Sequence, residues 1–167
     1  MNVVLIGMAG AGKSLAGRLL ADALGYAFID TDTSLAAKHG EPLQAILDRL
    51  GDDAFIQAEE AEILALAGIE RTVIAPGGSV IYSAAAMRFL KSMALAVYLR
   101  VPLATLEARI DPTTRGIVGL KARTFSELYA EREAAYVAAA DLTVEADGKT
   151  AEQVAAEIFA AAASVLA

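Results

Sequence analysis

The stretch that most constrains this chain is "NVVLIGMAGAGKS", residues 2–14. The run "NVVLI", four apolar residues after Asn2, reads as a buried strand. It leads straight into Gly7, Gly12, Lys13 and Ser14, which fit G-x-x-x-x-G-K-[ST]. The helical pattern "KSLAGRLLADAL" follows at once. Strand, glycine loop and helix in that order are the context this motif requires. The glycines let the backbone curl until its N–H groups converge on an anion, and the helix N-terminus adds partial positive charge. Lys13 is expected to reach the β- and γ-phosphates of a nucleotide, and the Ser14 hydroxyl to bind magnesium. Gly10, Ala11, Gly12, Lys13, Ser14 and Leu15 are therefore the expected nucleotide contacts.

The rest of the chain repeats the alternation. Short apolar runs lie at 2–6, 26–30, 72–75, 95–101 and 141–146. Helical patterns lie at about 13–24, 33–50, 54–67, 83–92, 103–110, 124–138 and 150–165. Strands apolar throughout, separated by helices, predict a parallel sheet of five strands covered by helices on both faces, a three-layer α/β/α fold. No linker, repeat or low-complexity tract interrupts it, so residues 1–167 read as one domain. In such sheets ligands sit beyond the carboxyl ends of the strands.

Composition narrows the partners. Fourteen basic residues against twenty-one acidic ones give a net charge of −7. That sign argues against nucleic acid, whose binders carry a basic face, and leaves room for a local basic pocket holding a small anion. With no cysteine, disulfides, thiolate metal sites and a cysteine nucleophile are excluded. The one histidine, His39, stands before Gly40 and reads as a surface residue at a helix end. No secretory signal or bilayer-length apolar run is present, and Glu152, Gln153 and Glu157 break the apolar C-terminal helix. A cytoplasmic monomer with no membrane contact is expected.

Two further strand ends carry polar chemistry. "FIDTDTS" places Asp30 and Asp32 two apart after the second run. In extended chain the two point the same way. Asp30 is then placed to complete a magnesium shell through water. Asp32 is placed to accept a hydrogen bond from a substrate hydroxyl. Alternatively Asp32, Thr33 or Ser34 caps the next helix. "PGGSV", residues 76–80, bares its backbone after the third run, as expected if a small polar ligand lies against it. "AEEAEIL", with Glu59, Glu60 and Glu62, reads as a solvated helix face, and residues 111–122 as a short mobile lid.

Taken together, the phosphate loop, "DTD", the glycine pair, an arginine in a short loop near 115 and a later arginine before a tyrosine resemble shikimate kinase. The resemblance runs over essentially the whole chain, with the motifs in the family's order. It implies a P-loop kinase of the nucleoside-monophosphate-kinase fold that moves the γ-phosphoryl of ATP, with Mg2+, to a hydroxyl of a small molecule. Carried over, it makes Lys13 and Ser14 the phosphate and magnesium residues, with Asp30 on the magnesium side. Asp32, Gly77, Gly78 and Arg132 become acceptor-site residues, Arg132 gripping the substrate carboxylate. Arg115 becomes the lid arginine, and Arg109 lies near the adenine. Glu59 matches a glutamate that orients the pocket. Lys13, Asp32 and Arg115 are the catalytic set.

The acceptor half departs from the family. Ile56 stands where the family has a second carboxylate-gripping arginine, Pro76 replaces the first of three glycines, the lid reads "RGIV", and "EAAY" follows Arg132. An arginine–carboxylate contact contributes about 1.5–3 kcal/mol, so losing one weakens a carboxylate ligand about ten- to a hundredfold. If Ile56 lines the pocket, shikimate is not the best acceptor and another small alcohol or polyol acid fits better. The remaining rivals are a nucleotide-binding regulator without catalysis and a nucleoside-monophosphate kinase. Asp32 and Arg115 speak against the first. The second needs more arginines around an acceptor phosphate.

Overall fold

β1 (Asn2–Ile6) is buried at every position because it lies in the middle of a five-stranded sheet. Around it stand β2 (Ala27–Asp30), β3 (Thr72–Ala75), β4 (Ala94–Arg100) and β5 (Leu142–Glu145), in the order β2-β3-β1-β4-β5. Each pair is parallel: Val3 stands opposite Val73 and Leu95, Phe28 opposite Val73, and Leu99 opposite Val144. This computed structural model describes residues 1–166. Only the three inner strands are buried along nearly their whole length, Arg100 at the end of β4 being half-buried. The edge strands β2 and β5 expose side chains, as edges do.

Eight helices are described: α1 (Lys13–Leu24), α2 (Thr31–His39), α3 (Leu43–Leu50), α4 (Asp52–Leu64), α5 (Ala84–Met93), α6 (Leu103–Arg109), α7 (Phe125–Ala139) and α8 (Ala151–Leu166). Helices cover both sheet faces, and α1 packs beside α8. The long helix expected over 33–50 is two helices. Gly40 ends α2 in a left-handed conformation at φ 67°, and Pro42 opens α3. Proline has no N–H for a continuing helix and bars helical backbone at the residue before it. His39 is the last residue of α2, as its neighbour Gly40 suggests. Among the described residues no helix is long and apolar enough to cross a membrane.

Besides the main core there is a small second one. Leu35 (α2), Ile46 and Leu47 (α3), Phe55 (α4) and Val118 form it, with Ile56 packed against them. Val118 belongs to the 111–122 segment, so the loop expected to be a lid is seated on α2–α4.

Candidate active site

The loop after β1 leads into α1 through Gly12, whose φ of 92° a side chain rarely tolerates. No side chain caps α1, and no acidic residue occupies its first turn. Its leading N–H groups are left for an external anion. Lys13 curls back so that Nζ donates to the carbonyls of Gly7 (2.8 Å) and Met8 (3.0 Å). Loss of water lowers its pKa to about 8, against the pull of Asp32 and Asp30. Arg109 reaches the same loop, donating Nη1 to the Gly10 carbonyl at 3.1 Å.

Ser14 Oγ donates to Asp30 Oδ2 at 2.5 Å, while Asp30 Oδ1 accepts from the Thr33 N–H at 3.0 Å. Asp30 is therefore the cap of α2, and Asp32 lies in its first helical turn. The expectation of two aspartates aligned on extended chain is corrected here: the strand ends at Asp30. Both side chains still line one cleft. The adjoining hydroxyl and carboxylate oxygens are hard donors that suit magnesium. Among the described residues no group of three or more His, Cys, Asp or Glu would hold a metal by itself. A cation here would need phosphate oxygens and water, which is how magnesium usually binds.

Asp32 accepts no hydrogen bond from the protein among the described residues. Its pKa is raised to about 6 by desolvation first; Lys13 and Arg115 pull it down and Asp30 pushes it up. Across from it lies the glycine pair after β3. A Cβ on Gly77 would fall on Glu59 Oε1 and lie 2.6 Å from Asp32 Oδ1. A Cβ on Gly78 would lie 3.1 Å from Arg132 Nη1. A side chain at Gly77 would crowd the tips of the protein's own Glu59 and Asp32, and one at Gly78 would press on Arg132, apart from any ligand lying there. Residues 78–82 then form a short 3-10 turn. The Tyr136 hydroxyl donates to the Gly78 carbonyl at 2.5 Å.

Arg132 is 1% exposed, although its sequence context is an open helix. Nε donates to the Tyr82 hydroxyl (3.2 Å), Nη2 donates to the Val118 carbonyl (2.8 Å), and the guanidinium lies over the Tyr82 ring. No carboxylate pairs with it among the described residues, and Arg132 lines the cleft. Glu59, read as a solvated residue, is only 6% exposed; its carboxylate accepts from the Ser79 hydroxyl. Desolvation and then Asp32 raise its pKa to about 8, partly offset by Ser79, Arg132 and Lys13. Glu60 and Glu62 instead bond Ser83 and Lys38.

The cleft has a volume of about 650 Å³. Lys13, Ser14, Leu15, Asp30, Asp32, Gly77, Gly78, Arg109, Arg115 and Arg132 all line it, so positions spread over the whole chain meet in one place. Ala11 is the expected contact that does not; it is buried beneath the loop. Ile56 is also absent from the lining. It packs on the second core, so the expected apolar wall is corrected: the carboxyl of Glu59, on the same helix, faces the cleft instead. Sequence reasoning missed Gln44 and Asp52, whose side chains accept from the N–H groups of Gly116 (3.0 Å) and Gly119 (3.2 Å) in the 111–122 loop. No motif marks them.

A phosphate-binding loop facing a free carboxylate and a buried, unpaired guanidinium defines a phosphotransferase with an alcohol group as acceptor. A family model described as shikimate kinase matches residues 9–163. The shikimate kinase of Moorella thermoacetica is 36% identical over 159 residues, covering 94% of this chain and 91% of that protein. The chain belongs to the shikimate kinase family. Among solved structures, the shikimate kinase of Acinetobacter baumannii in complex with shikimate has a TM-score of 0.89 at 29% identity, covering 98% of this chain and 93% of that one. That of Aquifex aeolicus has a TM-score of 0.86 at 28% identity, covering 99% and 98%.

Proposed function

We propose that this chain transfers the γ-phosphoryl group of ATP to a hydroxyl of shikimate, with magnesium as cofactor, in the cytoplasm. The observation that carries the acceptor is Arg132, a buried guanidinium without a carboxylate partner, in the cleft that also holds Lys13 and Asp32. A small hydroxy acid supplies both the anion for Arg132 and the hydroxyl for Asp32. Ile56 does not contradict this, since it is turned to the second core. One arginine in place of two still implies a weaker grip on the acid.

In this reading the loop N–H groups and Lys13 take the nucleotide phosphates, Lys13 exchanging its two carbonyl acceptors for phosphate oxygens. Ser14 and Asp30 would hold magnesium, which supplies charge neutralisation between the phosphates when bound. Asp32 accepts the hydrogen bond of the acceptor hydroxyl and orients it in line. The transition state is loose, so positioning and charge neutralisation dominate. Arg115, exposed on the lid, adds positive charge as the lid excludes water. The test is ATP consumption with a panel of small hydroxy acids. A kcat/KM for shikimate above about 10⁴ M⁻¹s⁻¹ supports the reading. Faster turnover of another polyol acid replaces shikimate as the acceptor, and no turnover of any would leave a nucleotide-binding regulator.

A further inference from the structure

Glu59 is a buried carboxyl in the cleft wall that the mechanism above leaves unused. Asp32 on α2 faces it across the bare side of Gly77, both carboxyls reaching the point where a Cβ would stand. From the turn after β3, Ser79 Oγ donates to Glu59 Oε2. Two cations act on Glu59 from other elements, and neither pairs with it. Lys13 is committed to the loop carbonyls, and Arg132 to Tyr82 and Val118. On α4 itself Glu60 turns to Ser83 and Glu62 to Lys38.

Two neighbouring carboxyls in a site poor in water do not both ionise cheaply. Glu59 pairs with no cation among the described residues and is held away from water beside a second carboxyl, so it is the one placed to keep a proton. Ser79 occupies Oε2, which leaves the acidic proton on Oε1, next to Gly77 and Asp32. No protein acceptor bonds Oε1 among the described residues.

We propose that Glu59 is a specificity-determining residue of the acceptor site, donating a hydrogen bond as a neutral carboxylic acid to an oxygen of the bound polyhydroxy acid. A donor beside an acceptor matches a hydroxyl group, which needs one of each. The upward shift of Glu59 to about 8 agrees with this assignment. The inference rests on the acceptor reading above.

Its test has two independent arms. The first uses infrared difference spectroscopy of the unliganded enzyme across pH and needs no acceptor. A protonated-carboxyl carbonyl band is present at pH 7, fades as pH rises through about 8, and is missing in Glu59→Gln. The second measures KM for shikimate. Binding that requires the neutral acid weakens about tenfold from pH 7 to pH 9. Glu59→Gln, which keeps a donor that does not ionise, raises KM about threefold at pH 7 and removes the alkaline rise. Glu59→Ala raises it tenfold or more. A merely structural Glu59 would leave the alkaline rise in the Gln variant. That result, or the absence of the band at pH 7, overturns the proposal. If shikimate is not turned over while the band titrates as described, the acceptor identity fails and the neutral acid stands.

Discussion

Arg132 Nη2 donates to the Val118 carbonyl at 2.8 Å, so the buried cation of the cleft is tied to the loop that covers it. Val118 in turn fills the second core beside Leu35, Ile46 and Phe55. The 111–122 loop and the cleft are therefore joined through one contact.

Arg132→Lys keeps the charge but not the geometry. One ammonium on a flexible stem does not reproduce a planar fork that bonds Tyr82 and Val118 and still offers Nη1 to a ligand. Steady-state kinetics are expected to show kcat/KM for shikimate falling tenfold or more, with ATP affinity changed about twofold or less.

Lys13→Ala removes the ammonium under the phosphate loop and should abolish turnover while circular dichroism remains native. Arg115→Ala removes an exposed lid cation. Its kcat should drop about a hundredfold or more with a smaller change in ATP affinity. An unchanged kcat would show Arg115 to be ordinary loop surface.

Gln44 and Asp52 hold the backbone of the 111–122 loop at Gly116 and Gly119. Each bond contributes about 1 kcal/mol, so Gln44→Ala or Asp52→Ala should speed amide exchange of residues 115–120 about fivefold. Protection equal to the parent's would mean that other contacts seat the lid.

Glu59 makes stability depend on pH in an uncommon direction. Its folded pKa, about 8, lies above the ordinary value of 4.5. Between these values the folded state holds the extra proton, so stability falls as pH rises, by at most about 1.4 kcal/mol per pH unit. The unliganded enzyme should melt at a lower temperature at pH 8 than at pH 5.5, and Glu59→Gln should flatten that slope.

Ile56 lies one helical turn before Glu59 on α4, packed against the second core beside the cleft. Ile56→Arg supplies the cation that Glu59 lacks. The variant should ionise Glu59 at pH 7, lose the pH-dependent melting and change KM for shikimate together with it. A variant whose melting keeps the parent's pH slope would show that position 56 does not reach Glu59.

By itself the sequence determined the parts that local chemistry fixes. "GMAGAGKS" between an apolar run and a helix can hardly be anything but a phosphate loop, because glycine, lysine and serine each answer one geometric demand of an anion. The alternation of short apolar runs with helices likewise determined the parallel sheet. Tertiary structure decided the acceptor side. Whether Ile56 or Glu59 faces the cleft depends on how α4 is rolled between two cores, and both fit its periodicity. Arg132 looks solvated until α7 is laid against β4 and the 111–122 loop. At Gly77 the side chains that a Cβ would crowd, Asp32 and Glu59, come from two other helices. Burial and long-range neighbours set the charge and reach of these groups, and neither is written in the spacing of one segment.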